Sequence, residues 1–221
     1  MYEAHPSREL IANFKKRPYQ GVKPSSAAYL FLGLDANYDL NIERTAIFAR
    51  VLEYHEDGVA FWRRYGVHHP FLLREYRGDG RRYHKAFARI GFAPRHAALV
   101  SFAELLHVPT VGRSRLAPAD LDASHLQMLN SSILEGTPKH VFVSAGVTRL
   151  MRASKAFPWL SKEQTKSNPL PILYSGADNR RVYLHLHFSN YGKFQERLDF
   201  EAKAIASLLP GEANESNARV S

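Results

Sequence analysis

Residues Ala27–Leu34 read AAYLFLGL, a continuous apolar run that ends at Gly33 and is followed at once by Asp35 and Asn37. An apolar run without polar alternation is what a strand buried on both faces requires, and such strands belong to parallel sheets covered by helices. The residues behind it are turn chemistry. Further strand candidates follow along the chain. Ala97–Leu106 is the second, His140–Ala145 (HVFVSA) the third, and Val182–Ser189 (VYLHLHFS) alternates as a strand does.

Helical patterns fall between them. Ser7 is placed to cap a short helix running to Lys16, which stops before Pro18, and residues 19–26 read as a polar connector. Arg44–Glu53 has helical character, and Phe61–Tyr65 and Gly80–Ile90 read as helices around a glycine-rich loop. In Leu121–Glu135, Leu126, Leu129 and Ile133 stand at helical spacing, with Gly136 as the stop. A short helix is expected after Ala145 as far as Lys155. Phe194, Leu198, Ala202, Ile205 and Leu209 mark a last amphipathic helix before Pro210 and Gly211. The expected fold is α/β: a three-layer α/β/α domain with a short, mostly parallel central sheet. It divides the chain into a helix and connector over 1–26, one domain over 27–209, and a polar tail over 210–221 expected to be disordered.

At 221 residues, 45% apolar and 23% charged, the chain has the composition of an ordinary globular protein. It contains no cysteine, which excludes disulfides, thiolate zinc sites, thiolate-held iron–sulfur clusters and a cysteine nucleophile. No apolar run reaches the roughly 18 residues a membrane span needs, and the start, MYEAHPSRELIANFKKRP, lacks the apolar core of a secretory signal. The expectation is a soluble, cytoplasmic monomer that does not engage membranes.

Thirty Lys and Arg against 21 Asp and Glu leave a net charge of +9. That excess favours a polyanionic partner. Between Phe61 and His96 nine cations face only Glu75 and Asp79, a net +7, with Trp62, Tyr65, Phe71, Tyr76 and Tyr83 interleaved. Arginine and aromatic rings together suit phosphate and exposed bases. Arg63, Arg64, Arg77, Arg81 and Arg82 are the candidate DNA-facing residues; the alternative is a solvated basic surface.

In parallel α/β sheets, ligands bind beyond the carboxyl ends of the strands. Asp35 follows the first strand and His187 closes the last, so both fall at such ends.

The same positions carry a family resemblance. LFLGLDANY (Leu30–Tyr38) is similar to the first motif of the uracil-DNA glycosylase superfamily, an apolar strand ending in Gly-x-Asp/Asn-Pro-Gly/Tyr. FWRRYGV (Phe61–Val67) resembles the Phe-Trp helix of its mismatch-specific uracil/thymine branch. LVSFAELLHVPT (Leu99–Thr110) resembles that branch's second strand and Pro-Thr turn, and LHLHFSNYG (Leu184–Gly192) the last motif, His/Asn-Pro-Ser-x-Leu. The four segments occur in the family's order and span roughly residues 27–209. The resemblance implies a monofunctional DNA glycosylase of base excision repair, which needs neither metal nor cofactor and acts on uracil or a related damaged base. The missing cysteines exclude the superfamily's iron–sulfur branches.

On this resemblance Asp35 would orient or deprotonate the water attacking C1′, and His187 would donate to the charge developing on the leaving base. Gly33, Leu34 and Asn37 would border the base pocket. Tyr54 would be its aromatic lid, with Phe48 as the second choice. The polar reader on the second strand has Ser101 as its nearest match, with Ala103 and Glu104 as the other positions. Tyr191 stands where the family carries its Leu wedge, and Ser189, Asn190 and Gly192 would lie against the DNA backbone.

Two departures keep other readings open. Ala36 and Asn37 replace the Pro-Gly or Pro-Tyr of the first motif, and Phe188 replaces the Pro of the last. A nucleic-acid-binding protein that does not cut is compatible with them. So is a metal-dependent hydrolase using Asp35, His185 and His187, since His185 and His187 share a strand face.

Overall fold

The computed structural model describes residues 2–112, 114–160 and 169–209. Its strands are β1 (Glu3–Ala4), β2 (Tyr19–Gly21), β3 (Tyr29–Gly33), β4 (Val100–Glu104), β5 (Thr110–Val111), β6 (His140–Ser144), β7 (Ile172–Ser175) and β8 (Arg181–His185). Its α-helices are α1 (Arg8–Lys16), α2 (Phe48–Glu56), α3 (Gly58–Tyr65), α4 (Arg81–Ala88), α5 (Ala123–Leu134), α6 (Ala145–Ser154) and α7 (Gln195–Ala206). Side chains set several helix starts. Ser7 Oγ accepts from Leu10 N, Asp57 from Val59 N and Ala60 N, and Asp122 from His125 N.

The main sheet runs β2-β4-β3-β6-β8-β7. Its four inner strands are parallel, and β2 and β7 add antiparallel edges. The continuous apolar run at 27–34 has the expected cause. Tyr29 and Phe31 enter one core with Trp62 of α3, Phe87 of α4 and Leu198 of α7. Leu30 and Leu32 enter the opposite core with Leu126 and Leu129 of α5 and Val147 of α6. Alternate residues thus feed two layers of helices, one on each face of the sheet. A third cluster joins Leu10 and Phe14 of α1 to Val51 of α2, Tyr38 and Phe71.

Four local readings change. Residues 19–26, expected as connector, contain β2, which pairs with β4 through Gln20 opposite Phe102. Three residues on a sheet edge carry no apolar period that sequence could register. The helix expected over 44–53 is a 3-10 turn at Ile42–Arg44 followed by α2, because extended Thr45, its hydroxyl on Ile42 O, interrupts the path. The strand expected over 182–189 stops at His185, where Leu186 N turns to the Glu201 carboxylate. A small sheet of β1 and β5 and the edge strand β7 add elements that were not expected. The tail over 210–221 lies outside the described residues. Among the described residues no helix is long and apolar enough to cross a membrane.

Phe142 is fully buried and stacks on Phe31 and Tyr183, with ring centroids 4.6 and 5.3 Å apart. Phe142→Ala is expected to lower the unfolding free energy by about 3–5 kcal/mol, read from the urea midpoint; a loss below about 1 kcal/mol would mean that the aromatic column is not the centre of the core.

Candidate functional site

Beyond the carboxyl ends of β3, β4 and β8 lies a cavity of about 340 Å³. That is near the small end of ligand pockets, which run from about 300 to 1,000 Å³. The chain leaves β3 for β4 on one side and returns to β6 on the other, so the cavity adjoins a topological switch point. Of the residues singled out in the sequence, Gly33, Leu34, Asp35, Asn37, Tyr54, Glu104, His185, His187 and Ser189 line it. Ser101 and Phe48 do not. Ser101 is fully buried within β4 with its hydroxyl unsatisfied among the described residues, and Phe48 packs against the cluster of α1 and α2.

A turn tied to a second segment holds Asp35. Tyr38 N donates to Thr110 O, Thr110 N donates to Ala36 O, and the Asn37 amide donates to Thr110 Oγ1 and Gly112 O. Two hydroxyls then converge on one carboxylate oxygen: Thr110 Oγ1 lies 2.5 Å and Ser114 Oγ 2.8 Å from Asp35 Oδ2. The second oxygen carries no such bond among the described residues, so the side chain is oriented and keeps an acceptor.

The histidines can be assigned tautomers from partners that play only one role. Ser189 N donates to His187 Nδ1, with Ser189 Oγ 2.6 Å from the same nitrogen, so the His187 proton sits on Nε2. Phe71 N donates to His69 Nδ1, which puts the His69 proton on Nε2 as well. His185 is the reverse: Nδ1 donates to the Leu186 carbonyl, leaving Nε2 as an acceptor. All three rings are held neutral. Burial lowers His69 well below its ordinary value and His185 to about 4. Burial also lowers His187, against an opposing pull from Asp35. The segment that carries His185 and His187 is fixed from below, because Glu201, buried under it, accepts from Leu186 N and from Arg197.

Aromatic and imidazole rings build the remaining wall. Tyr54, Phe71, Tyr83 and Phe102 line the cavity. His69 and His84 stack face to face 3.5 Å apart and 7° from parallel, and His84 Nδ1 meets His68 Nε2 at 3.2 Å. Tyr83 stands 5.4 Å from the His187 ring.

Glu104 is a pocket carboxyl whose acidity is strongly perturbed. Burial first, and then the nearby Asp35 charge, push its carboxyl up to about 8, so it is a neutral acid at pH 7. It sits opposite Gly33 in the β3–β4 register. A Cβ on Gly33 would lie 1.8 Å from Glu104 Oε2, so the glycine is what lets the carboxyl lie across β3. Thr110 and Ser114, like Tyr83, His69 and His84, were not singled out as site residues; only the Pro-Thr turn hinted at Thr110.

The basic segment divides. Arg81 donates to the carbonyls of Leu73, Tyr76 and Leu72, and Arg77 to those of Arg74 and Tyr76, so both guanidinium groups brace their own loop. Arg64 pairs with Glu53. Arg63 is exposed. Arg82 lies 4.3 Å over the ring of Tyr191, which is 65% exposed. Asn190 donates to His187 O, and Gly192 has the positive φ that closes this turn.

Among the described residues no three His, Asp or Glu side chains form a group that would hold a metal ion. Asp35, His185 and His187 therefore do not converge as a ligand set. No family model, curated protein or solved structure matches this chain.

The buried imidazoles make stability pH-dependent. Burial holds His55 and His84 near 3, His185 near 4, and His68 and His69 far below 6.5 in the folded chain. The unfolded chain takes up these protons below about 6.5, so the stabilisation is whole above that pH and lost as the pH falls. Glu104 acts oppositely: its contribution is lost as the pH rises toward 8. Five rings outweigh one carboxyl in acid. The urea-unfolding free energy is expected to fall between pH 6.5 and 4.5 by more than about 1.4 kcal/mol per pH unit; a flat profile would mean that the rings titrate in the fold.

Proposed function

We propose that the chain is a DNA glycosylase that flips a nucleotide out of the helix and hydrolyses the N-glycosidic bond of uracil or a related damaged base. The observation that carries this reading is that Asp35 and His187, far apart in sequence, line one cavity of about 340 Å³ walled by Tyr54, Phe71, Tyr83 and Phe102. A planar base suits such walls by stacking. Asp35, oriented by Thr110 and Ser114, directs water at C1′ and its negative charge stabilises the oxocarbenium-like transition state. Neutral His187 donates from Nε2 to an oxygen of the departing base, where charge develops. Tyr191, at the turn after His187, and Arg82 of α4, over its ring, offer a ring and a cation to the strand that has lost its base from the stack.

Labelled oligonucleotides carrying single damaged bases test this. Release of free base and an abasic site is expected, with Asp35→Asn and His187→Ala each lowering the rate about 100-fold or more. Salt-dependent binding without release of any base would instead support a non-cutting nucleic-acid binder. Unchanged release by both variants would overturn the mechanism.

The arginines separate by role. Arg82→Ala is expected to weaken DNA binding and to reduce the salt slope by about one. Arg81→Ala is expected to lower stability by about 1–3 kcal/mol through the carbonyls it leaves unsatisfied, with a smaller change in salt slope. Titrations over a salt series and urea unfolding of both variants read the difference.

A further inference from the structure

We infer that Glu104 is the general acid of this pocket, protonating the leaving base while Asp35 serves as the carboxylate on the water side. The inference rests on the glycosidase reading above and adds a group that reading does not use.

The geometry comes first. Glu104 is the last residue of β4 and Asp35 lies two residues beyond the end of β3, so adjacent parallel strands deliver two carboxyl groups to one cavity. Their surroundings differ. Asp35 accepts from two hydroxyls, as an ionised carboxylate does. The Glu104 side chain receives no hydrogen bond from the described residues. Its carboxyl lies over Gly33, where a side chain would have displaced it.

The groups facing Glu104 explain its state. Asp35 presents the nearest negative charge. Burial first, and then the Glu104 charge among others, raise the hydroxyls of Tyr38, Tyr54 of α2 and Tyr83 of α4, so all three stay protonated. His125 of α5 binds the Glu104 backbone carbonyl, not its carboxyl. The cavity imidazoles of His69, His84, His185 and His187 are neutral. Among the described residues no Lys or Arg lines the cavity. Two carboxyl groups held in different environments can divide acid and base roles.

The step balances. The C1′–N bond breaks, its electron pair goes to the base, and the Glu104 proton goes to a carbonyl oxygen or ring nitrogen of that base, which leaves neutral. Water forms the C1′–O bond and gives a proton to Asp35. Asp35 returns that proton to Glu104 through solvent, so one water is consumed and nothing is oxidised or reduced. The favoured substrates are lactam bases, whose carbonyl oxygen can take up the proton.

The test compares wild type with Glu104→Gln, an uncharged near-isostere that keeps a donor and an acceptor but cannot transfer a proton. With uracil in the oligonucleotide, Glu104→Gln is expected to lower kcat about 100-fold or more and leave KM within about twofold. With 5-fluorouracil, a better leaving group, the loss at pH 7 is expected to shrink at least tenfold. In wild type, uracil release should decline as the pH rises through about 8, and the variant should lack that limb. The wild-type limb needs no substitution, so it serves even where the variant folds poorly. Equal losses for both bases, or a variant as active as wild type with the limb intact, would overturn the acid role and leave the glycosidase reading standing. Absence of base release by wild type would overturn both.

Discussion

The aromatic column through the centre of the sheet is the constraint on which the other features depend. Phe31 of β3 stacks between Phe102 of β4 and Phe142 of β6, at 5.6 and 4.6 Å, and Tyr183 of β8 continues the line beyond Phe142. These rings come from four parallel strands in matched register. A slip of one residue would turn every ring toward the opposite layer. The column therefore fixes which residue ends each strand: Gly33 opposite Glu104, and Ser144 opposite His185. Packing in the core sets the placement of polar groups at its edge.

That dependence explains what sequence could convey. The two-sided burial of β3 is written in Tyr29–Leu32, because each alternate residue has an apolar layer to meet. The first helix is announced by its cap Ser7, whose hydroxyl accepts from Leu10 N, and α5 by Leu126, Leu129 and Ile133 at helical spacing, all three buried against the sheet. β2 and β7 carry no comparable signal. Each lies on an edge and takes its conformation from the strand it borders. The position of Asp35 and His187 was legible for the same reason as the fold, since both follow strand ends in a parallel sheet.

Partner identity was the part that sequence could not convey. Arg77 and Arg81 look identical to Arg82 in a list of charges, yet two of them satisfy loop carbonyls and the third covers an aromatic ring. A carbonyl that needs a donor leaves no trace in composition. The same holds for Glu104. In sequence it is one of 21 acidic residues, named only as an alternative to Ser101 for the reader on the second strand. Its distinction arises from Gly33 across the register and from Asp35 beyond it, both brought near by pairing between segments about 70 residues apart.

The cavity is built almost wholly from groups that burial keeps uncharged. Imidazoles lose their protons there, phenols keep theirs, and Glu104 keeps its own. Asp35 is the exception, and it is the cavity carboxylate supplied with two hydroxyl donors. A localised negative charge beside neutral dipoles acts more strongly than it would in water, since little around it reorients to screen it. In the reaction proposed above, the sugar would become positive beside Asp35 and the base negative toward His187 and Glu104. The fold thus sets a carboxylate and neutral donors around a cavity of about 340 Å³, and it does so with the residues that end the strands holding the core together.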